Sequence, residues 1–418
     1  MLIGLVVGLV AGLLAHFLAP GAAWVDWIAT NVATPVGQIF LRLLFMLVIP
    51  LILSALVVGV AGIDLRELGR LGLRTLAYAG GVSFIAASVG LFLVNVIQPG
   101  AGEAASSLRE LARTTAAPAA SGAAGPSGVG LIVAMVPDNP FKAAANGDMI
   151  GVIVFALIFA VAAALTRTEP AARLRDLMQG LYDVMMTCIG GVLKLAPVGV
   201  GALMFVMGVR LGTGLFRPLA AFVATVLLGL AFHMVVVYSL LVKVVGKTSP
   251  RAFFRDVRLA MLTAFSTASS SATLPTALEV AEHNLRLPPK VSRFVLTVGS
   301  TMNQNGTALY EGVTVLFLAQ LAGVHLGVTQ QALVMVICVL AGIGTAGIPG
   351  GSLPVIAMIL GMLGVPPEGL GLILGVDRLL DMCRTTLNVT GDLAVAVAIA
   401  RGERAPAGIP ADGPVHAS

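Results

Sequence analysis

A chain of 418 residues with 58% hydrophobic but only 11% charged side chains lies far from the roughly 25% charge of soluble domains, which excludes a soluble globular protein. The net charge of +5 requires no nucleic-acid partner and reads through the excess of basic residues on the cytoplasmic side of membrane proteins. The three cysteines, Cys188, Cys338 and Cys383, all lie in apolar stretches and read as small core residues, not as a disulfide framework or metal site.

Many apolar segments approach the ~20 residues a spanning helix needs, and the short alternating segments of a β-barrel are absent. The expected fold class is an all-α polytopic membrane protein. The first segment, Leu2 to Leu18, lacks the basic flank of a signal peptide and is expected as a membrane helix with a cytoplasmic start. Further apolar spans run roughly over 34–62, 72–97, 128–166 (broken by Pro137 and Pro140), 178–208 and 215–245. Arg66, Arg70 and Arg74 follow the second, Arg167, Arg173 and Arg175 the fourth, and Lys243, Lys247, Arg251, Arg255 and Arg258 the sixth. Linkers 20–33 and 320–330 hold no Lys or Arg, so the basic side is cytoplasmic. The Ala-, Ser-, Gly- and Pro-rich segment 100–127 is expected as a flexible external loop, and 403–418 as a disordered tail.

Residues 250–400 break the pattern with a coarse repeat. Ser266 to Ser271 interrupts one apolar segment, Asn303-Gln304-Asn305-Gly306-Thr307 the next, and Gly342 to Ser352 a third. Paired interruptions of this kind point to a solute site at a repeat interface, because non-helical backbone at membrane depth must be buried or line a cavity. The Ser269-Ser270-Ser271 run offers hydroxyls and free N–H groups to an anion. Five poor helix formers at 303–307 are expected to unwind the helix and free carbonyls for hard cations. The glycine-rich stretch 342–352 is expected as a re-entrant tip that opens and closes.

The last apolar helix carries Asp377, Asp381, Arg384, Asn388 and Asp392 within an arc of roughly 80°. Ionisable groups at that depth face a protein interior, a partner or a water path. The Arg384 fork matches a carboxylate; it could equally pair with Asp377 or Asp381, one turn away. Two other features lead nowhere. Gly246-Lys247-Thr248 resembles the end of a phosphate loop, but Leu241 stands where the first glycine belongs. The histidines (His16, His233, His283, His325, His416) are scattered and suggest neither a zinc cluster nor a catalytic pair.

Together these residues make the chain resemble the dicarboxylate/amino acid:cation symporter family, the bacterial and archaeal relatives of mammalian glutamate transporters. The likeness runs through Leu47 to Leu51, Met135 to Phe141, Ser269 to Pro275, Asn303 to Tyr310, Gly344 to Pro349 and Asp381 to Asp392. It implies eight transmembrane helices, two re-entrant helical hairpins and inverted repeats, in a homotrimer of the cell inner membrane. A scaffold would comprise 1–70 and 128–210; a transport domain comprising 71–99 and 211–402 would move as an elevator. The hairpins would lie at about 252–284 and 330–363, with spans seven and eight at about 287–318 and 367–401.

The resemblance also implies roles. Arg384, helped by Thr307, would hold a side-chain carboxylate of the solute, and Asp381 an α-ammonium. Asn388, Ser270 and Thr385, with Ile348 of the second hairpin tip, would complete the substrate set. Sodium would be held by Gly299, Asn303, Asn388 and Asp392, and by carbonyls of Thr301, Gly342, Ile343 and Thr345. The implied function is cation-coupled symport of L-aspartate or L-glutamate, with Na+, H+ or both as coupling ions and no cofactor or catalysis. C4-dicarboxylates, neutral amino acids or solute-gated anion conductance are the alternatives. The chain also departs from the family. Gln304 and Asn305 replace the usual Met and Asp, and Ala79, Val82 and Ser83 stand where further polar ligands are usual, so a deep sodium site is expected to be absent. An arginine that some relatives carry near the solute is replaced by Ala268 or Met382. Glu311, after Tyr310, could carry a proton instead.

Overall fold

The computed structural model describes residues 2–61, 69–101, 136–146, 149–344, 352–365 and 369–401. The expected external loop 100–127 beyond residue 101, the second hairpin tip at 345–351 and the tail 403–418 lie outside them. The described residues form helices and connecting turns, without a strand. They are α1 (Leu2–Leu18), α2 (Ala23–Ile28), α3 (Thr34–Phe45), α4 (Val48–Ala61), α5 (Gly69–Ile97), α6 (Pro140–Asn146), α7 (Met149–Leu165) and α8 (Glu169–Leu211). Then come α9 (Phe216–Phe232), α10 (Pro250–Thr267), α11 (Ser270–Glu279), α12 (Pro289–Met302), α13 (Asn305–Ala322), α14 (Val328–Gly344), α15 (Ser352–Met362) and α16 (Leu370–Ala400).

Leu71–Ile97 and Gly212–Val245 are long and apolar enough to cross a membrane, and the bent pair Glu169–Val192 with Lys194–Arg210 makes a third such span. The 49° bend falls where Pro197 cannot bond to the carbonyl four residues back. Ile3–Leu18, Ile49–Val58, Gly151–Leu165 and Val328–Gly342 are shorter apolar helices.

Two boundaries differ from expectation. The span expected over 34–62 is two helices, α3 and α4, parted at Met46 and Leu47, because Pro50 has no N–H for the Met46 carbonyl. The span expected at 178–208 starts earlier, at Glu169. Thr168 caps it by accepting from Ala171 N at 3.4 Å, and Pro170 sits in the first turn, where no N–H is missed. Arg175, expected in a linker, instead lies on α8 and donates to Ala163 O at 2.6 Å and Thr166 O at 2.9 Å, closing the end of α7.

The helices pack most closely within two groups, which meet where α8 touches α16 and α4 touches α14. In the first, α1, α3 and α4 lie on α8, and α7 lies on α4. Gly4, Gly8 and Gly12 of α1 face Pro197, Gly201 and Phe205 backbone on α8, the close approach that small residues permit. In the second, α13 is flanked by α5, α9, α14, α15 and α16, while α10 and α12 lie on α16. Its aromatic centre is Phe222 stacked on Phe317 at 4.7 Å, with Tyr310 at 6.3 Å from Phe222. α10 and α11 form a helical hairpin: Ala268 takes a left-handed φ of 49° and Ser269 caps α11 through Ala272 N at 3.2 Å.

Candidate functional site

The break between α12 and α13 is shorter than expected. Only Asn303 (φ −98°, ψ 73°) and Gln304 (φ −103°, ψ 55°) leave the helix, whereas Asn305, Gly306 and Thr307 form the first turn of α13. The cause is capping from α16: Asn388 Oδ1 accepts from Gly306 N at 2.7 Å, satisfying one of the orphan donors that end a helix. Gly306 permits the approach, since a Cβ there would stand 2.8 Å from Arg384 O. Asn388 Nδ2 donates to Gln304 Oε1 at 2.6 Å and to Thr307 Oγ1 at 3.3 Å.

Arg384, 1% exposed, is the centre of this buried cluster. Nη2 donates to Asp381 Oδ1 at 2.8 Å and to Asp377 Oδ1 at 3.3 Å. Nη1 donates to Ser352 Oγ at 3.1 Å, and the guanidinium lies 3.9 Å over the Tyr310 ring. Tyr310 in turn donates to Asp377 Oδ1 at 2.8 Å. Both internal pairings considered from sequence are therefore present. Yet Arg384 Nε has no partner among the described residues, and a buried donor without one calls for an explanation. Asp381 is less enclosed and also faces Arg378 Nη1 at 3.8 Å.

The other expected residues are placed unevenly. Asp392 accepts from Asn303 Nδ2 at 2.8 Å, leaving Asn303 Oδ1 buried without a partner among the described residues. Gly299 leaves room for that carboxylate, because a Cβ would stand 2.5 Å from Asp392 Oδ1. These oxygens suit a hard cation. Gly342 lies against Gln304. Thr301 turns its hydroxyl back to Val298 O at 2.9 Å. Ser270 and Thr385 are buried, but no hydrogen bond among the described residues joins them to Arg384. Ile343 lies in the last turn of α14; Thr345 and Ile348 lie outside the described residues. Glu311 is fully buried, with neither carboxyl oxygen partnered among the described residues.

Below Gln304 lies a second, neutral network. Ser83 donates to Asn305 Oδ1 at 2.6 Å, Asn305 Nδ2 to the Tyr238 hydroxyl at 2.8 Å, and Tyr238 to Leu387 O at 3.0 Å. One amide, with Tyr238, thus ties α5, the short helical turn Tyr238–Leu240 beyond α9, α13 and α16 together. Tyr238→Phe is expected to lower stability by about 1–3 kcal/mol by stranding Asn305 Nδ2. The melting temperature of the detergent-purified protein tests this, and an unchanged value would show that the bridge contributes nothing.

Sequence reasoning did not single out Tyr238, passed over His233 as one of the scattered histidines, and placed Ser352 at the end of the 342–352 stretch without a link to Arg384. His233 is fully buried, edge-on to Tyr238 at 4.9 Å, with neither ring nitrogen partnered among the described residues. Its signal was available, since an imidazole inside an otherwise apolar span is costly. Tyr238 gave no local signal, and Ser352 only that of the glycine-rich stretch it ends; only the fold brings them to Asn305 and Arg384.

Comparison with known proteins identifies the family. Residues 1–402 match the profile of the Sodium:dicarboxylate symporter family. The chain is 34% identical over 381 residues to the proton/glutamate-aspartate symporter of Escherichia coli, covering 90% of this chain and 87% of that protein. It is 35% identical over 373 residues to the proton/sodium-glutamate symport protein of Geobacillus stearothermophilus, covering 88% and 87%. Human excitatory amino acid transporter 3 is 32% identical over 408 residues, covering 85% and 76%. A match over almost the whole chain, with the buried arginine, its acids and the broken helix in one cluster, makes this chain a member of the sodium:dicarboxylate symporter family.

Proposed function

We propose that the chain is a secondary active transporter that moves L-aspartate or L-glutamate together with Na+, H+ or both through the cell inner membrane. The observation that carries this is Arg384: a guanidinium shut inside the protein, with Nε–H unpartnered among the described residues and the second hairpin's Ser352 beside it. A solute carboxylate completes its hydrogen bonding, while a neutral side chain leaves it unmet. Asp381, the more accessible acid, receives the α-ammonium when it yields Arg384. The relatives named for glutamate and aspartate support the same solute class.

The two packing groups support a division into a scaffold (1–70, 128–210) and a transport domain (71–99, 211–402) that slides as an elevator within a homotrimer of eight-span subunits. The α10–α11 hairpin and the α14–α15 pair take the parts of the two re-entrant hairpins. Asn303 Oδ1 and the Asp392 carboxylate, with Gly299, are the side of the site that suits sodium. The deep position holds the neutral Ser83–Asn305–Tyr238 chain instead of an anion, and Glu311 is the proton carrier.

A C4-dicarboxylate is the second solute, favoured by one observation: Arg384 and Arg378 both face Asp381, so its charge is met without an ammonium. Competition by acidic amino acids and C4 acids, with and without sodium, separates the two. Uptake into proteoliposomes under separate gradients tests coupling. Accumulation of aspartate under an inward proton gradient without sodium is expected, and Glu311→Gln is expected to remove it. Loss of all uptake in sodium-free buffer would assign the coupling to Na+ instead. Accumulation against a gradient also distinguishes a transporter from a solute-gated anion channel.

A further inference from the structure

Gln304 uses its side-chain amide at both ends. Oε1 accepts from Asn388 Nδ2 at 2.6 Å and from the Thr307 hydroxyl at 3.2 Å. Nε2 donates to Ser300 O at 3.3 Å, a carbonyl at the end of α12 that loses its backbone partner where the chain leaves the helix. Gly342 of α14 closes over the same side chain; a Cβ there would stand 3.2 Å from Gln304 Cβ. A cation at such a break satisfies oxygens only. An amide satisfies a carbonyl with its N–H and two donors with its oxygen, and needs no ion.

We propose that Gln304 is a positioning residue for the solute site: by bridging the broken helix to α16 it fixes the Asn388 amide and the Thr307 hydroxyl without a bound cation. The inference rests on the solute-site reading above, in which both groups belong to the substrate set. Asn388 Oδ1 is taken by Gly306 N, and its two N–H groups by Gln304 and Thr307. A solute carboxylate therefore reaches Asn388 only by displacing a partner. The 3.3 Å Thr307 contact yields before the 2.6 Å Gln304 contact, so Gln304 determines which N–H is offered.

The test is aspartate uptake by the full chain in proteoliposomes. Gln304→Met keeps the volume and removes the amide. Its half-saturating aspartate concentration is expected to rise about tenfold, the loss of roughly one hydrogen bond, with a smaller fall in maximal rate. Gln304→Asn, shorter but still polar, is expected to move half-saturation in the same direction and serves if the Met variant does not fold. A purely structural role would lower folded yield and maximal rate while leaving half-saturation at the wild-type value, and that result overturns the inference. Arg384→Ala separates the two levels. If it abolishes uptake and both Gln304 variants keep wild-type half-saturation, the Gln304 inference alone fails. If aspartate uptake survives Arg384→Ala, the solute-site reading fails and takes the inference with it.

Discussion

Arg384→Ala is expected to reduce uptake of acidic solutes at least a hundredfold. Hydrogen bonds to charged groups contribute about 1.5–3 kcal/mol each, and a carboxylate solute would lose its charge-assisted contacts with the guanidinium. Each 1.4 kcal/mol is about a tenfold change in affinity, so two such contacts reach that loss. The truncation also strands Asp377 and Asp381, which now share Nη2, and breaking a buried pair costs about 3–5 kcal/mol. Instability alone could then imitate loss of binding. A paired variant, Arg384→Gln with Asp377→Asn, removes the guanidinium and one stranded charge together and is expected to recover folded yield without recovering uptake. Arg384→Lys keeps the charge but not the planar fork and is expected to transport weakly. A monodisperse Arg384→Ala protein that accumulates aspartate at the wild-type rate would remove the basis for the proposed function.

How much of this was legible beforehand depended on whether the cause was local. The charged stripe of α16 was readable because polar side chains stand out against an apolar helix, and four of its five members are buried as expected. The break before α13 was readable from its composition, but its length was not. Propensity alone predicts unwinding through Thr307; Asn388, 82 residues away, holds Gly306 N–H and lets the helix restart at Asn305. The serine run was only partly readable. Ser269 spends its hydroxyl on capping α11, a local use that competes with anion binding, while the Ser352 hydroxyl, outside any serine run, meets Arg384. Deep inside, Asn305 looked like the loss of an anion; the structure adds that its amide gained two partners from other segments, Ser83 and Tyr238, the second of which reaches on to Leu387 O.

That gain makes Asn305→Asp the second large effect. Asn305 accepts from Ser83 and donates to Tyr238, whose own proton goes to Leu387 O. A carboxylate retains the first contact but has no hydrogen for the second, so one anionic oxygen faces the lone pairs of the Tyr238 hydroxyl. Tyr238 must then abandon Leu387 O or leave the new charge unmet. No basic side chain is hydrogen-bonded to this network among the described residues, and an uncompensated buried charge costs about 3–5 kcal/mol. In sodium-free choline buffer the variant is expected to melt well below the wild type. Sodium that neutralises the carboxylate binds only the folded protein, so melting temperature is expected to climb with sodium concentration as linkage requires. A wild-type chain whose deep position is already closed by the amide shows no such gain from that position. An Asn305→Asp protein as stable as its parent in choline, and indifferent to added sodium, would mean that the neutral bridge does not replace an ion there.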